Sequence, residues 1–497
     1  DVYKRLYISS SSINYSRYNL FGKDKLMTED AIKTDLTDIL TTLKNTFKKT
    51  PFPEIQQRQQ DLKALKALLL ENQDALIKAM DQDFGSRSSD DSKIGDILTT
   101  VQGINYSLDH LKKWMRPSKR HLSLLLQPAS ARVEYQPLGV IGIIVPWNYP
   151  VFLGLGPLTA ALAAGNKAMI KMSEYTPHTA SIIKQLVDKY FEPNKISIVE
   201  GDASVAAVFS SLPFDHLFFT GSTNVGKLVM RAAAEHLVPV TLELGGKSPA
   251  IIADDMDINI AVDRFILGKT LNAGQTCVAP DYIFCPKGKT QQLIDAIEKT
   301  FERMYPSVKD NKDYTSVINP AQHTRLQSLI DDALAKGAVV RPLGGDPGCA
   351  KTRQMPLTLI HGVNNQMQVM QQEIFGPLLP ILEYDTLDEA IEYINDGERP
   401  LALYIYSFNK TCQDKILKST HSGGVCINDA AFHVAAEDLP FGGVGSSGMG
   451  SYHGSEGFKT FSHAKSILSR GRLSFGKLLF PPFGTAVHNL IYKLYIR

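Results

Sequence analysis

The stretch Gly139-Val140-Ile141-Gly142-Ile143-Ile144-Val145-Pro146-Trp147-Asn148-Tyr149-Pro150 sets the fold class of this chain. No residue from Gly139 to Gly165 is charged, so the segment meets the length rule for a membrane-crossing helix. Its contents argue against one. Pro146, Asn148, Pro150 and Pro157 break any continuous helix at its start and middle. The run reads instead as a buried strand, Val140 to Val145, then a loop, then a buried helix ending near Gly165.

Outward from this run the rhythm is strand, helix, strand. Strands are expected at Gly139–Val145, Ala168–Met172, Ile196–Val199, His216–Thr220 and Val240–Leu244, with helices at Thr179–Tyr190 and Asn224–His236. Such alternation predicts a parallel sheet covered on both faces, with ligands bound beyond the carboxyl ends of the strands. A second alternating block runs from Pro249 to about Val425. It holds helices at Asp257–Leu271, Lys289–Tyr305, Gln322–Lys336 and Leu387–Asn395, and strands at Tyr282–Cys285 and Leu379–Tyr384. Two α/β domains therefore follow one another, with the break near Gly245-Gly246. Ahead of them, Glu29 to Phe84 and Ile94 to Trp114 carry helical spacing, and Ser123 to Pro137 reads as extended.

Composition narrows the function. The 497 residues are 43% hydrophobic and 21% charged, enough for two or three domains with buried cores. A net charge of +2 gives no strong field for nucleic acid. The 5 cysteines, at 277, 285, 349, 412 and 426, are odd in number, widely spaced and without zinc-ligand spacing. No metal site or disulfide scaffold is expected, and a reducing cytoplasm fits best. The polar, Tyr-rich opening, residues 1–27, lacks the basic-then-apolar order of a signal peptide. The last residues, 467–497, read as a basic amphipathic tail. They carry Arg470, Arg472, Lys477, Lys493 and Arg497 among apolar residues, and no acid. Contact with an anionic membrane surface is one reading. Docking over the chain's own substrate mouth or a dimer partner is the favoured one.

Several residues have the chemistry of a site. Cys277 stands in Asn272-Ala273-Gly274-Gln275-Thr276-Cys277, where Ala273 and Gly274 leave room beside the sulfur. Glu243 is a carboxylate inside an apolar strand. It is either paired with Lys247 or a backbone amide, or a general base with a raised pKa. Asn148 sits in a Pro-bounded loop at a strand end, able to aim its amide at an oxyanion or simply to make a turn. The run Phe219-Thr220-Gly221-Ser222-Thr223-Asn224-Val225-Gly226 takes a strand through a glycine turn into a helix, which suits a phosphate at the helix start. Its spacing is not the G-x-G-x-x-G fingerprint, and a plain turn is the commoner meaning. Lys171 ends a strand where a nucleotide would lie, or is a solvated strand-end lysine, and Glu373 is an acid entering the turn Phe375-Gly376-Pro377, which is otherwise a surface turn.

In this order the motifs resemble the aldehyde dehydrogenase superfamily. The carriers are Pro146-Trp147-Asn148-Tyr149-Pro150, Phe219-Thr220-Gly221-Ser222-Thr223 with Gly226, Leu242-Glu243-Leu244-Gly245-Gly246-Lys247, Gly274-Gln275-Thr276-Cys277, Glu373-Ile374-Phe375-Gly376-Pro377 and Pro440-Phe441-Gly442-Gly443. The likeness spans about Glu29 to Ser466. The run Cys277-Val278-Ala279-Pro280-Asp281-Tyr282 and the ending Tyr452-His453-Gly454 through His463 resemble the class 3 branch, and Lys171-Met172-Ser173-Glu174 and Gly156-Pro157-Leu158-Thr159 resemble its bacterial coniferyl aldehyde dehydrogenases.

The resemblance implies two Rossmann-like doubly wound domains plus a small β bridging element for oligomerisation. Residues 28–122 and 138–244 would bind NAD(P), 245–424 would form the catalytic domain, and 123–137 with 425–466 would bridge to a partner in a homodimer. It implies that Cys277 attacks the aldehyde, that the Asn148 amide and the Cys277 N–H hold the oxyanion, and that Glu243 activates water. Cofactor contacts would come from Lys171 and Glu174 at the adenosine ribose, from Ser222 by the diphosphate, and from Gly221, Gly226 and Leu244. Glu373 would meet the nicotinamide ribose and Phe375 the nicotinamide. NAD is expected as the preferred cofactor because Glu174 is acidic, with NADP also accepted. Tyr149, Phe152 and Phe432 are candidates to line the path of an aromatic or apolar aldehyde. Two rivals are a CoA-acylating aldehyde dehydrogenase, which needs no water-activating base at position 243, and a silent binding protein on the same fold.

Overall fold

The computed structural model describes residues 15–20, 23–344, 351–473 and 475–496, with side chains from Thr28 onward. The opening residues 1–14 and Cys349 lie outside the described residues.

The uncharged run is a strand, Val140–Ile144, and a helix, Phe152–Ala164. All five strand residues are buried, and only Gly156 of the helix is not. The strand sits inside an eight-stranded sheet, and helices Ile55–Glu71, Thr99–Trp114 and Gly454–Thr460 pack on the buried helix. Protein on every side, rather than lipid, removes this apolar surface from water.

That sheet runs Gly448–Met449, Val240–Leu244, His216–Gly221, Val140–Ile144, Lys167–Lys171, Ile196–Gly201, Tyr15–Leu20, Lys23–Thr28. Its five central strands are parallel, as the alternating pattern predicts. A second, seven-stranded sheet runs Val339–Pro342, Thr358–His361, Leu378–Tyr384, Tyr282–Pro286, Pro249–Ile252, Ala402–Tyr406, Gly424–Ile427. It is parallel except at the Val339–Pro342 edge. Both sheets are α/β with helices on their faces, so the two doubly wound units stand as expected. A third sheet joins Ser462–Arg470, Ala129–Pro137 and Ser118–Arg120 in antiparallel order.

Three segments differ from their sequence reading, and a fourth is divided: residues 29–84 are helical as expected but form three helices, Glu29–Lys49, Ile55–Glu71 and Gln73–Phe84, separated at Pro51–Pro53 and at Asn72. Proline withholds the amide that a continuous helix needs. The stretch expected as extended from Ser123 begins with a short turn, Leu124–Leu126, and becomes a strand only at Ala129. Tyr15–Thr28 is not merely a polar lead-in. Within it Tyr15–Leu20 pairs antiparallel with Lys23–Thr28 and with Ile196–Gly201, supplying partners for the open edge of the sheet. Finally, 425–466 is shared out. Gly424–Ile427 completes the second sheet, Gly448–Met449 pairs with Val240–Leu244 across Glu243, and Ser462–Arg470 runs four residues past the 466 boundary. Backbone groups find ladders by proximity in space, not by neighbourhood in sequence.

Candidate active site

From Val140–Ile144 the chain adds Lys167–Lys171 and Ile196–Gly201 on one side, then crosses back to add His216–Gly221 and Val240–Leu244 on the other. This reversal splays the loops that leave Val140–Ile144 and His216–Gly221, and a crevice opens beyond their carboxyl ends. A cleft of ≈ 880 Å³ lies there. Pro146, Trp147 and Asn148 line it from one loop, Thr220 to Asn224 from the other, and Glu243 to Lys247, Cys277, Glu373 and Phe375 from the facing domain and the junction.

Cys277 follows a short left-handed turn. Asn272 and Ala273 have φ of 51° and 52°, and Gly274 has φ of 72°. Left-handed backbone is costly for residues with a Cβ, so the surroundings must hold it. Gln275 does much of this. Its Nε2 donates to the carbonyls of Asn272 (2.9 Å) and Ser316 (3.0 Å), and its Oε1 accepts from the Ile318 N–H at 2.9 Å. Ala273 is fully buried, and a Cβ on Gly274 would lie 2.5 Å from the Gly376 carbonyl. The small residues therefore serve the turn and its packing, not open space beside the sulfur. Cys277 is half-buried and lines the cleft. Burial, with the nearby carboxylates of Glu373 and Glu243, pushes the Cys277 thiol up to about 12.

Asn148 is buried at the start of the facing loop. Its side-chain amide donates to the Gln275 carbonyl at 3.1 Å, two residues before Cys277. The next residue, Tyr149, is buried too and places its hydroxyl 2.9 Å from Thr276 Oγ1. The Asn148 and Cys277 loops are thus hydrogen-bonded to each other.

Glu243 is 3% exposed on the Val240–Leu244 strand, and neither carboxylate oxygen has a hydrogen-bond partner. Lys247 does not pair with it. That ammonium is taken by Asp281 and by the carbonyls of Val369 (2.8 Å) and Gln372 (3.0 Å). Desolvation raises the Glu243 pKa well above the carboxylate range. A buried, unpaired carboxylate that lines the same cleft as a thiol can serve as a general base.

At the other end of the cleft, helix Thr223–Ala234 aims its N-terminus inward, capped by Ser222 Oγ on the Val225 N–H at 3.5 Å. Gly221, Ser222 and Leu244 line the cleft. Gly226 lies behind it, where a Cβ would come within 2.7 Å of Leu244 Cδ2, so glycine lets the helix close on the strand. The Thr220 hydroxyl is buried and unpartnered. Glu373 lies over Gly245, where a Cβ would sit 2.2 Å from both carboxylate oxygens. Burial pushes the Glu373 carboxyl up to about 8. Phe375 stacks edge-on against Trp147, with centroids 5.2 Å apart. A dinucleotide fits this set: amide donors at a helix start for a diphosphate, and a carboxylate for ribose hydroxyls.

Some sequence candidates sit elsewhere. Lys171 is buried and gives its ammonium to the Met172 carbonyl (2.8 Å) and to Glu174 (3.2 Å). Both residues stand at the end of the adjoining strand, outside the cleft lining. Phe152 faces a separate small cavity with Tyr452 and His453. Phe432 is about half exposed and lines neither cavity. Three residues escaped the sequence reading altogether: Arg87, Asp91 and Asp96, all buried. The run Ser86-Arg87-Ser88-Ser89-Asp90-Asp91 looks like a solvated turn, and no local pattern marks it otherwise.

The cleft, its thiol and carboxylate and the two sheets define a known class. The pattern of the aldehyde dehydrogenase family matches residues 15–467, and this chain belongs to that family. It is an enzyme that oxidises aldehydes with NAD(P). Among individual relatives, it is 51% identical over 447 residues to the probable coniferyl aldehyde dehydrogenase of Pseudomonas aeruginosa, covering 90% of this chain and 93% of that one. It is 40% identical to mouse aldehyde dehydrogenase family 3 member A2, over 88% and 90% of the two chains. A substrate-bound Staphylococcus aureus aldehyde dehydrogenase superposes with a TM-score of 0.88 at 37% identity, covering 93% of this chain and 99% of the other. The Mycobacterium tuberculosis enzyme complexed with NAD+ gives 0.80 at 28% identity, over 94% and 96%.

Proposed function

We propose that Cys277 is the nucleophile, Asn148 the oxyanion donor and Glu243 the base that activates water. Cys277 as thiolate forms a C–S bond to the aldehyde carbon, and the Asn148 amide with the Cys277 N–H holds the oxygen that becomes negative. The resulting thiohemiacetal is a good hydride donor, unlike the hydrated aldehyde. NAD(P), when bound, accepts that hydride. Loss of hydride leaves a thioester on Cys277. Glu243 takes a proton from water, the hydroxide adds to the thioester carbonyl, and the C–S bond breaks to release the acid and the thiolate. The observation that carries this reading is the buried Glu243 carboxylate with both oxygens free. It also weighs against the CoA-acylating alternative, in which no water needs activating. In the test, Glu243→Gln forms about one equivalent of NADH per site while steady turnover collapses by roughly 10²–10⁴. Cys277→Ala forms none. Wild-type turnover in Cys277→Ala, or acyl transfer to added CoA in place of acid release, would overturn it.

Ser222 and the start of its helix would hold the diphosphate, Glu373 the nicotinamide ribose, with Phe375 beside the nicotinamide. Lys171 and Glu174 would meet the adenosine ribose, and the Glu174 charge favours NAD over NADP. For substrate we favour an aromatic aldehyde of the coniferyl kind, as in the names of the relatives, with Tyr149, bonded to Thr276 beside Cys277, near the reacting end. A panel of aromatic and long-chain aldehydes decides it by kcat/KM.

A homodimer in a reducing cytoplasm completes the reading. The tail exposes Phe475, Phe480, Phe483, Leu490, Leu494 and Ile496, and helix Ala486–Tyr495 buries only His488. The tail has no described residue in the cleft lining. It follows directly on the mostly exposed strand Ser462–Arg470, and a second copy continues that surface. Among the described residues no helix is long and apolar enough to cross a membrane. Light scattering with and without residues 471–497 tests the assembly. Vesicle cosedimentation tests the rival membrane contact.

A further inference from the structure

Behind Asn148 and Cys277 lies a group of buried charges that the reaction does not use. Arg87 and Asp96 form an ion pair at 2.8 Å with both side chains fully out of solvent. Each also holds the Asn148 loop. Arg87 Nη1 donates to the Asn148 carbonyl at 2.7 Å. Asp96 Oδ1 accepts from the N–H groups of Val151 and Phe152, both at 3.0 Å. Those N–H groups open helix Phe152–Ala164, which has no capping side chain of its own at Val151. Asp96 lies in a π-turn, Lys93–Leu98, that interrupts the run of helix into Trp114, a widening often found at functional sites.

One turn earlier, Asp91 holds the other loop. Its Oδ2 accepts from the Asn272 N–H at 3.1 Å, inside the left-handed turn that leads to Cys277, and from the Thr315 hydroxyl at 2.8 Å. Asn272 in turn donates to the Asn148 carbonyl at 3.1 Å and to the Gln275 carbonyl at 3.2 Å. A single short segment, Arg87 to Asp96, therefore grips both loops. Each loop offers amides and carbonyls at the point of grip, and these side chains supply the hydrogen bonds that such buried groups need.

We propose that Arg87, Asp91 and Asp96 are positioning residues that form a buried brace, fixing the distance between the Asn148 amide and the Cys277 sulfur. Arg87 is its keystone, because one guanidinium spans both Asp96 and the Asn148 carbonyl. Lysine has a single ammonium and cannot present that planar fork. The brace rests on the oxyanion reading of Asn148, and it deepens that reading by saying what aims the amide.

The test measures the burst of NADH at saturating cofactor and aldehyde. Burst amplitude counts competent sites, and the burst rate constant reports chemistry at each site. A displacement of about 1 Å costs up to ~10² in rate. Arg87→Met should keep a measurable amplitude while the rate constant falls roughly 10- to 100-fold, with the KM for cofactor changed less than about threefold. Arg87→Lys should fall between Arg87→Met and wild type, and it serves if Arg87→Met does not fold. In an Asn148→Ala background either change should cost less than about twofold more, since the amide it aims is gone. A lower amplitude with an unchanged rate constant would make Arg87 merely structural and overturn the proposal. Multiplying effects in the double variant would overturn it too. Loss of rate in Asn148→Ala with none in Arg87→Met or Arg87→Lys sinks the brace alone. An unaffected Asn148→Ala sinks the oxyanion reading, and the brace with it.

Discussion

The Asn148 amide and the Gln275 carbonyl meet at 3.1 Å across 127 residues of chain. One amide proton is used in that bond, and the other is left for the cleft. Replacing Asn148 by Ala should cost little stability, because Asn272 still donates to Gln275 at 3.2 Å. It should lower kcat by roughly 10²–10³, the usual cost of one oxyanion donor. Steady-state kinetics beside a thermal melt separate the two effects.

Glu243 sets stability against pH. Its folded pKa is raised by burial above the ordinary 4.5, while the unfolded chain ionises near that value. As pH rises from there towards the folded pKa, only the unfolded state sheds the proton, so stability drains away. Glu243→Gln carries no such charge. It should melt above wild type at pH 8, by on the order of 1–2 °C, and the difference should vanish near pH 4. An equal offset at both pH values would contradict the buried carboxyl.

The Cys277 thiol at about 12 makes a kinetic forecast. Only the thiolate is alkylated. Iodoacetamide should therefore label Cys277 about tenfold faster per pH unit from 7 to 10, with no plateau. Peptide mass spectrometry distinguishes it from Cys412 and Cys426, which are also partly exposed. A plateau near pH 8 would show that the two carboxylates and burial do not govern this thiol.

Glu174 lies beside buried Lys171 at 3.2 Å but keeps about a third of its side chain in solvent. Its charge is therefore partly screened. Glu174→Gln should raise kcat/KM for NADP relative to NAD by roughly three- to tenfold. No change in the ratio would remove Glu174 from cofactor discrimination.

At Gly245 an added side chain would meet the Glu373 carboxylate. A Cβ there would lie 2.2 Å from the Glu373 oxygens. Gly245→Ala should fold, push that carboxylate aside and raise the KM for NAD roughly tenfold, the scale of one lost charged hydrogen bond. Glu373→Ala should match it, and the two together should add little.

Much of this was legible in the chain. The uncharged run from Gly139, its breakers and the alternation after it gave the strands at Val140 and Val240 within a residue or so. The motifs around Asn148, Glu243 and Cys277 picked out three residues that the fold brings to one cleft. Two readings of single residues did not last. Lys247 as a partner for Glu243 gave way to Lys247 with Asp281, and the small residues before Cys277 turned out to serve a left-handed turn. Both depended on what lies across the molecule.

The sequence by itself determined the elements and the chemistry available. Hydrophobic period and breakers act over a few residues, and a nucleophile, a base and an amide are named by their side chains. Only the tertiary structure decided which carboxylates pair and which stand free. It left Glu243 without a partner, spent Lys247 on Asp281, and turned Arg87, Asp91 and Asp96 inward to hold two loops. Burial and hydrogen bonding are settled by groups that approach from distant parts of the chain. The spacing of Arg87 from Asn148, 61 residues along the sequence and 2.7 Å apart in the fold, carries no local signal at all.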